Sequence, residues 1–459
     1  MLLKNILPFI GYVLAAESAT KTQRTYSQYS PKSSEIAEAA ATAHTSHETS
    51  DVEGAFFKRL VVIWLENTDF DKAAESEGLS YLAQYGITLD NYWALTHPSE
   101  PNYIAAVGGD YFALNDDRFI TLPSNVSTIV DLLDSKSISW GEYQEHQPYT
   151  GFQGFNYSNQ HTFANDYMRK HNPLISYESV TNNETRLSNI KNFTEFYVDL
   201  ENETLPQWSF ITPNMTNDGH DTTINVAATW TKDFLTPLLN NSYFMDDTLV
   251  LVTFDENETY ADKNKVFALL LGGVIPDDLK GTIDSTFYDH YSEIATVEAN
   301  WDLDNLGRHD ANANVFSIVA DAANVTNDDV DTTYKVNNHT YTGYLQDNSQ
   351  AFPAPNITLK NKVGNPVLPA IVSVWSSEYE AQLSQGFFTS TTTTVTGNIP
   401  DATTTASSNG TASHSNSKSA SASASASTSA VSSKSSGGAN SVHVVGISAI
   451  LGFAAALIL

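Results

Sequence analysis

Residues 60–70 read LVVIWLENTDF, in which the apolar residues Leu60 to Trp64 lead through Leu65 into Glu66, Asn67, Thr68 and Asp69. The run is short and continuous, as a strand buried on both faces requires. Its polar end admits two readings. Asn and Asp stop strands, so this could be an ordinary turn. The carboxyl end of a strand in an open α/β sheet is also where ligands bind. A second run, TLVLVTF (248–254), ends in the same way, in Asp255, Glu256, Asn257 and Glu258. Two such ends side by side gather Glu66, Asn67, Asp255 and Glu256 into an oxygen-rich pocket. Hard divalent cations take such ligands, and without a cation the carboxylates repel one another.

Around these runs lie a third, VFALLLGGV (266–274), and helix-like stretches such as NVSTIVDLLDSKSI (125–138) and VAATWTKDFLTPLLN (226–240). Buried strands alternating with helices predict an α/β domain whose sheet is covered on both faces. The domain is expected over residues 56–385, large for one domain but acceptable for an enzyme with long insertions.

The chain has 459 residues and a formal charge of −30, from 53 acidic and 23 basic side chains. That balance argues against nucleic acid, whose phosphates would be repelled, and suits a soluble protein in an acidic medium. There is no cysteine, which excludes disulfides, thiol chemistry and cysteine–zinc sites. Residues 1–18 read as a secretory signal and residues 19–55 as a polar leader, with ordered sequence expected from Phe56. Residues 386–436 are rich in Ser, Thr and Ala and read as an O-glycosylated stalk. Small residues and the apolar run VVGISAILGFAAALIL (444–459) follow, so residues 437–459 read as a glycolipid (GPI) anchor signal, removed in the mature chain. Asn-X-Ser/Thr sequons, beginning with Asn125, Asn156, Asn183 and Asn192, suit a secreted glycoprotein with N-linked glycans. Those at Asn214 and Asn257 lie close to the candidate site.

Three further clusters carry chemistry. In THPSEPNYIAAVGG (96–109), Ser99 opens a helix-like run, where backbone N–H groups favour anions. Asn102 stands one turn later, placed to donate to an oxyanion. A serine there can equally be a plain N-cap. ITPNMTNDGHDTTI (211–224) puts Asp218 and His220 in a polar loop after an apolar strand, either as structural groups or as site groups. FYDHYSEIATVEANWDLDNLGRHD (287–310) holds His290, Arg308 and His309, and His290 also reads as a packed or capping residue.

In this order, ENTDFD, HPSEPN with its Gly-Gly, TPNMTNDGHD, FDEN, DHYSEIATVE and LGRHD resemble fungal secreted acid phosphatases. These belong to the phosphoesterase family that also holds bacterial non-haemolytic phospholipases C. GEYQEHQP (141–148) and RKHNPLISY (169–177) extend the resemblance to the fungal branch. It implies a fold similar to alkaline phosphatase: a doubly wound, mostly parallel sheet with helices on both faces. It also implies a divalent metal, of unspecified identity, on Glu66, Asn67, Ser99, Asp255 and Glu256. Ser99 corresponds to the nucleophile that forms a phosphoserine, with Asn102 and His220 as catalytic partners and Asp218, His290 and Arg308 around the substrate. With oxygen ligands one dominant metal is expected rather than a His-rich two-zinc site.

The expected function is that of a secreted, glycolipid-anchored acid phosphatase acting on small phosphate monoesters, for phosphate scavenging at the plasma membrane or cell wall. A phosphodiesterase or phospholipase C of the same family is the alternative among enzymes. A cell-wall mannoprotein or adhesin is the alternative of another class, for which the stalk and anchor alone would suffice.

Overall fold

The computed structural model describes residues 31–337, 343–345 and 351–386, all within the compact unit Met1–Thr403. The expected signal, the stalk beyond Gly386 and the anchor lie outside the described residues. The strands are β1 (Arg59–Leu65), β2 (Ile87–Trp93), β3 (Trp140–Gln144), β4 (Asn156–Tyr157), β5 (Tyr167–Met168) and β6 (Ile190–Asn192). They continue with β7 (Trp208–Thr212), β8 (Thr248–Phe254), β9 (Lys265–Leu271), β10 (Thr282–Asp284) and β11 (Tyr288–Asp289).

One sheet runs in the order β10-β2-β9-β8-β1-β7-β3-β6, with β11 also pairing β2. The block β8-β1-β7-β3-β6 is parallel throughout. β9 is antiparallel to both its neighbours, so the sheet is mixed but mostly parallel. The reversal follows from chain length: the connection from Phe254 to Lys265 returns β9 directly beside β8, whereas a parallel neighbour needs a longer crossover.

Leu60 to Leu65 and the whole of β8 are buried, so helices and loops cover both faces there, as their unbroken apolar runs required. On one face, Trp64 lies 4.7 Å from Tyr103 in the helix Ser99–Gly108, and its indole N–H donates to Glu293 in the helix Tyr291–Trp301. Elsewhere the helices Glu77–Ala83 and Ile224–Leu238 pack closely at Gly78. A Cβ there would stand 2.1 Å from Ala228 O, so a larger residue would force the helices apart. From β1 the chain runs to β2 on one side of the sheet and only then crosses to β3 on the other, which leaves β1 in the middle with its carboxyl end between those of β7 and β8.

Packing begins before Phe56. Ser46 N donates to Ser188 O, Thr49 Oγ1 to Leu205 O, and both Ser50 Oγ and Val52 N to Gln207 Oε1. Further upstream, Ile36 of the helix Ser33–Ala40 is buried against Phe152 and Tyr167. The residues read as a loose polar leader therefore strap the domain from about residue 36. Polar side chains fasten most of this strap to backbone groups, so no apolar period announced it.

Candidate active site

The register of β1 on β8 pairs Leu65 with Phe254, and Asp255 N donates to Leu65 O. The next residues on each strand are therefore neighbours, and the two acidic ends form one cluster. Asn67 N donates to Asp255 Oδ1 at 3.1 Å, and Asn67 Nδ2 donates to Glu256 Oε1 at 2.9 Å. From the other side, Glu66 N donates to Asp218 O in the loop after β7. Glu66, Asp218, Asp255 and Glu256 are all fully buried.

Ser99 comes to this cluster from the loop after β2. Its hydroxyl donates to Glu66 Oε2 at 3.2 Å, and the residue is almost wholly buried. It does not cap its helix. Pro98 occupies that place, and Ser99 is the first helical residue with its side chain turned to the acids. Asn102 departs from expectation. Its Oδ1 accepts from Leu95 N and Thr96 N, while its Nδ2 donates to Thr96 O and Pro98 O. With its amide spent on that loop, Asn102 shapes the turn that presents Ser99 and has no donor to spare for an oxyanion.

Asp218 accepts from His220 N, and His220 Nδ1 lies 2.8 Å from Asp221 Oδ1. His171 and Lys170, which no strand-end pattern indicated, complete this wall. They follow β5, where the insertion after β3 folds back over the sheet. His171 Nε2 is 3.3 Å from Glu66 Oε1 and its Nδ1 is 3.5 Å from Asp218 Oδ2. Lys170 Nζ lies 3.0 Å from Asp117 and 3.2 Å from His220 Nε2. The Tyr103 hydroxyl donates to Glu66 Oε1.

Of the remaining candidates, His290 sits behind the site. Its ring lies 4.3 Å from Trp64, and Nε2–H donates to the backbone carbonyl of Asp255 at 2.7 Å. It steadies the acidic strand end without facing substrate. Arg308 is not in the site. It lies against Phe112 and Phe352, donates to Pro353 O and approaches Asp110, beyond the far end of the helix that Ser99 opens. A helix of that length separates its ends by about 15 Å. As the Arg of the LGRHD motif (306–310) it packs on the helix end, where Gly109 turns at φ +71°.

The electrostatics are those of acids crowded out of water. Burial, then Asp255 and Asp218, push Glu66 well above the usual carboxylate range. Burial likewise raises Asp218 and Asp255, and burial together with Asp255 raises Glu256. Burial works against the charge of Lys170, yet Glu66 and Asp117 more than offset it and its pKa is raised. Burial lowers His97 to about 4, and its Nδ1 lies 2.6 Å from Glu256 Oε2.

Buried Asn67 Oδ1, Asp218 Oδ2 and Asp255 Oδ2 have no hydrogen-bond partner among the described residues. Unmet acceptors beside four crowded carboxyls fit a divalent cation, which would satisfy the oxygens and relieve the repulsion. The ligand atoms of Glu66, His171 and His220 also lie within 4.8 Å of one another. Glu66 thus borders two donor sets, one of oxygens towards Asn67 and Asp255 and one with imidazoles. Glu256 is the least available of the expected ligands, since Asn67, Tyr260 and His97 occupy its oxygens.

The family model described as Phosphoesterase family matches residues 18–304. A Kluyveromyces lactis protein described as "Probable acid phosphatase" is 68% identical over 355 residues, 77% of this chain and 84% of its own. An Aspergillus fumigatus "Acid phosphatase" is 61% identical over 294 residues, 64% of this chain and 66% of its own. Among solved structures, a Vibrio parahaemolyticus protein in the alkaline phosphatase superfamily aligns with a TM-score of 0.36 and 12% identity, covering 57% of this chain and 73% of that one.

Proposed function

The chain belongs to the phosphoesterase family, and from that membership we propose an acid phosphatase that hydrolyses phosphate monoesters through Ser99. The observation that carries this reading is the Ser99 hydroxyl, held at a helix start against Glu66 in a buried, acid-lined pocket with Lys170 at its edge. Ser99 Oγ attacks phosphorus in line, its proton passing to Glu66 Oε2, the oxygen it already bonds, which a cation at the site would keep ionised against the burial that otherwise raises it. The ester P–O bond breaks as the phosphoserine forms, the departing oxygen takes a proton from His220, and the alcohol leaves through the mouth beside Lys170 and His220. Lys170, held by Asp117, sets a positive charge where the phosphoryl oxygens enter. Water then gives a proton to His220 as it attacks phosphorus, the Oγ–P bond breaks with the Glu66 proton returning to Ser99 Oγ, and phosphate is released. A divalent cation held by Glu66, Asn67, Asp255 and the Ser99 hydroxyl would lower the serine pKa and neutralise phosphoryl charge.

An adhesin has no need of a buried serine among four acids, so the site weighs against that alternative. The secretory signal, stalk and glycolipid anchor belong to the same reading and rest on the composition of the two ends, with phosphate scavenging at the cell surface as the role. The mature chain then stops within residues 435–440, and a peptide containing Ile450 in the surface-bound protein would refute the anchor.

The test of the activity is release of phosphate from an aryl monoester at pH 4 to 6 by wild type and Ser99→Ala. Wild type should be active, and the variant should lose about three orders of magnitude or more while remaining folded. A variant that keeps most of the rate overturns the mechanism. Faster cleavage of a bis-aryl phosphate or phosphatidylcholine than of the monoester moves the protein to the diesterase alternative.

A further inference from the structure

We infer that Asp117 is a positioning residue for phosphoryl binding: one oxygen of its carboxylate caps the helix that Ser99 opens, and the other holds Lys170 at the pocket. The inference rests on the monoesterase reading and goes beyond it by giving the loop after that helix a part in the site.

A serine at a helix start ordinarily spends its hydroxyl on a backbone N–H. Ser99 does not, because its hydroxyl is turned to Glu66, and Pro98 in the cap position makes no side-chain cap. The first turn is satisfied from elsewhere. Glu100 N donates to Asp117 Oδ1 at 3.0 Å, and the next residue, Pro101, has no N–H to satisfy. Asp117 belongs to residues 110–122, which return from the far end of the helix to its start. The return is pinned beside the segment that carries Lys170. Leu122 N donates to Ser176 O, Glu178 N donates to Leu122 O, and the Arg169 guanidinium lies 4.3 Å from the centre of the Phe119 ring. The carboxylate therefore stands on a fixed loop between the nucleophile's helix and the insertion.

Its second oxygen, Oδ2, accepts from Lys170 Nζ at 3.0 Å. A lysine chain is flexible, and an ammonium without an anchor spreads its charge over many rotamers. Here one N–H goes to Asp117, another points to His220 Nε2 at 3.2 Å, and the last remains for a phosphoryl oxygen. The same carboxylate thus releases the Ser99 hydroxyl from capping and sets the cation that meets the group under attack. A negative side chain is also favourable at a helix start, so the two roles do not oppose each other.

The test measures binding of inorganic phosphate by calorimetry, and kcat and KM for phenyl phosphate, in wild type, Asp117→Asn, Lys170→Met and the double variant. Asparagine keeps an oxygen for Glu100 N and turns an amide to Lys170, which needs an acceptor. Asp117→Asn should weaken phosphate binding and raise KM by roughly tenfold, with a smaller change in kcat and unchanged melting. Lys170→Met should weaken phosphate at least as much. Adding Asp117→Asn to it should change the affinity by less than about twofold, since nothing is left to hold. Multiplying losses in the double variant, or unchanged phosphate affinity in Asp117→Asn, overturns the inference. An Asp117→Asn protein that melts well below wild type or does not fold would mean that the carboxylate serves the fold alone, which also overturns it. A wild-type protein that binds phosphate but releases none from phenyl phosphate overturns the monoesterase reading instead, while the phosphate affinities still test Asp117.

Discussion

The Ser99 hydroxyl donates to Glu66 Oε2 at 3.2 Å, joining the start of one helix to the carboxyl end of the central strand β1. Glu66 also accepts from Tyr103, one helical turn beyond Ser99, so the same carboxyl fixes the helix and the nucleophile. Whatever moves Glu66 moves Ser99.

The two donor sets around Glu66 can be told apart by metal content. Asp255→Asn and Glu66→Gln remove charge from the oxygen set, and each should lose bound divalent ion together with activity. His171→Ala touches only the imidazole set. Elemental analysis of the purified proteins decides between them: metal lost from His171→Ala but kept in Asp255→Asn would move the ion to the Glu66, His171 and His220 group.

Asn102 distinguishes support from catalysis. Replacing it with alanine strands the backbone groups of Leu95, Thr96 and Pro98 that it now satisfies, at a cost of about 1–3 kcal/mol. Asn102→Ala should therefore lower the melting temperature and the activity together. Lost activity with unchanged melting, read by calorimetry beside the rate assay, would restore the oxyanion role.

Glu142 makes stability depend on pH. Burial in the middle of β3 pushes its carboxyl up to about 8 from an ordinary 4.5, and Leu174 N is its hydrogen-bond donor. Below pH 4.5 both folded and unfolded chains hold the proton, so its contribution is fully present. As pH rises towards 8 the unfolded chain releases the proton while the folded chain keeps it, and stability falls by up to a few kcal/mol. Glu142→Gln cannot titrate. Its melting temperature relative to wild type should climb steadily between pH 4 and pH 8, and a gap that stays constant would show that Glu142 is ionised in the fold.

The sequons divide by burial. Asn214 and Asn257 are buried, with Asn214 Oδ1 accepting from Thr216 N and Asn217 N and Asn257 Nδ2 donating to Thr259 O. A glycan on either nitrogen is incompatible with this packing, whereas Asn125, Asn202 and Asn240 are exposed. Peptide mass spectrometry of protein recovered from a secretory host should find Asn214 and Asn257 bare. A glycan at either in active enzyme would contradict the loop structure around the site.

By itself the sequence determined the central strands and what they carry at their ends. Unbroken apolar runs such as Leu60–Leu65 and Thr248–Phe254 are stable only when covered on both faces, and that requirement is local enough to read from one segment. Glu66, Asn67, Asp255 and Ser99 were legible because a strand end or a helix start marks where they stand. Tertiary structure alone decided the rest. Lys170 and His171 reach the site because an irregular insertion folds back over the sheet and is held by individual hydrogen bonds, which leave no period in the sequence. It also turned Asn102 inward to its own loop, put Arg308 at the wrong end of the helix, and fastened polar residues 42–55 to the domain. In each case a side chain had several partners open to it, and only the three-dimensional neighbourhood chose among them.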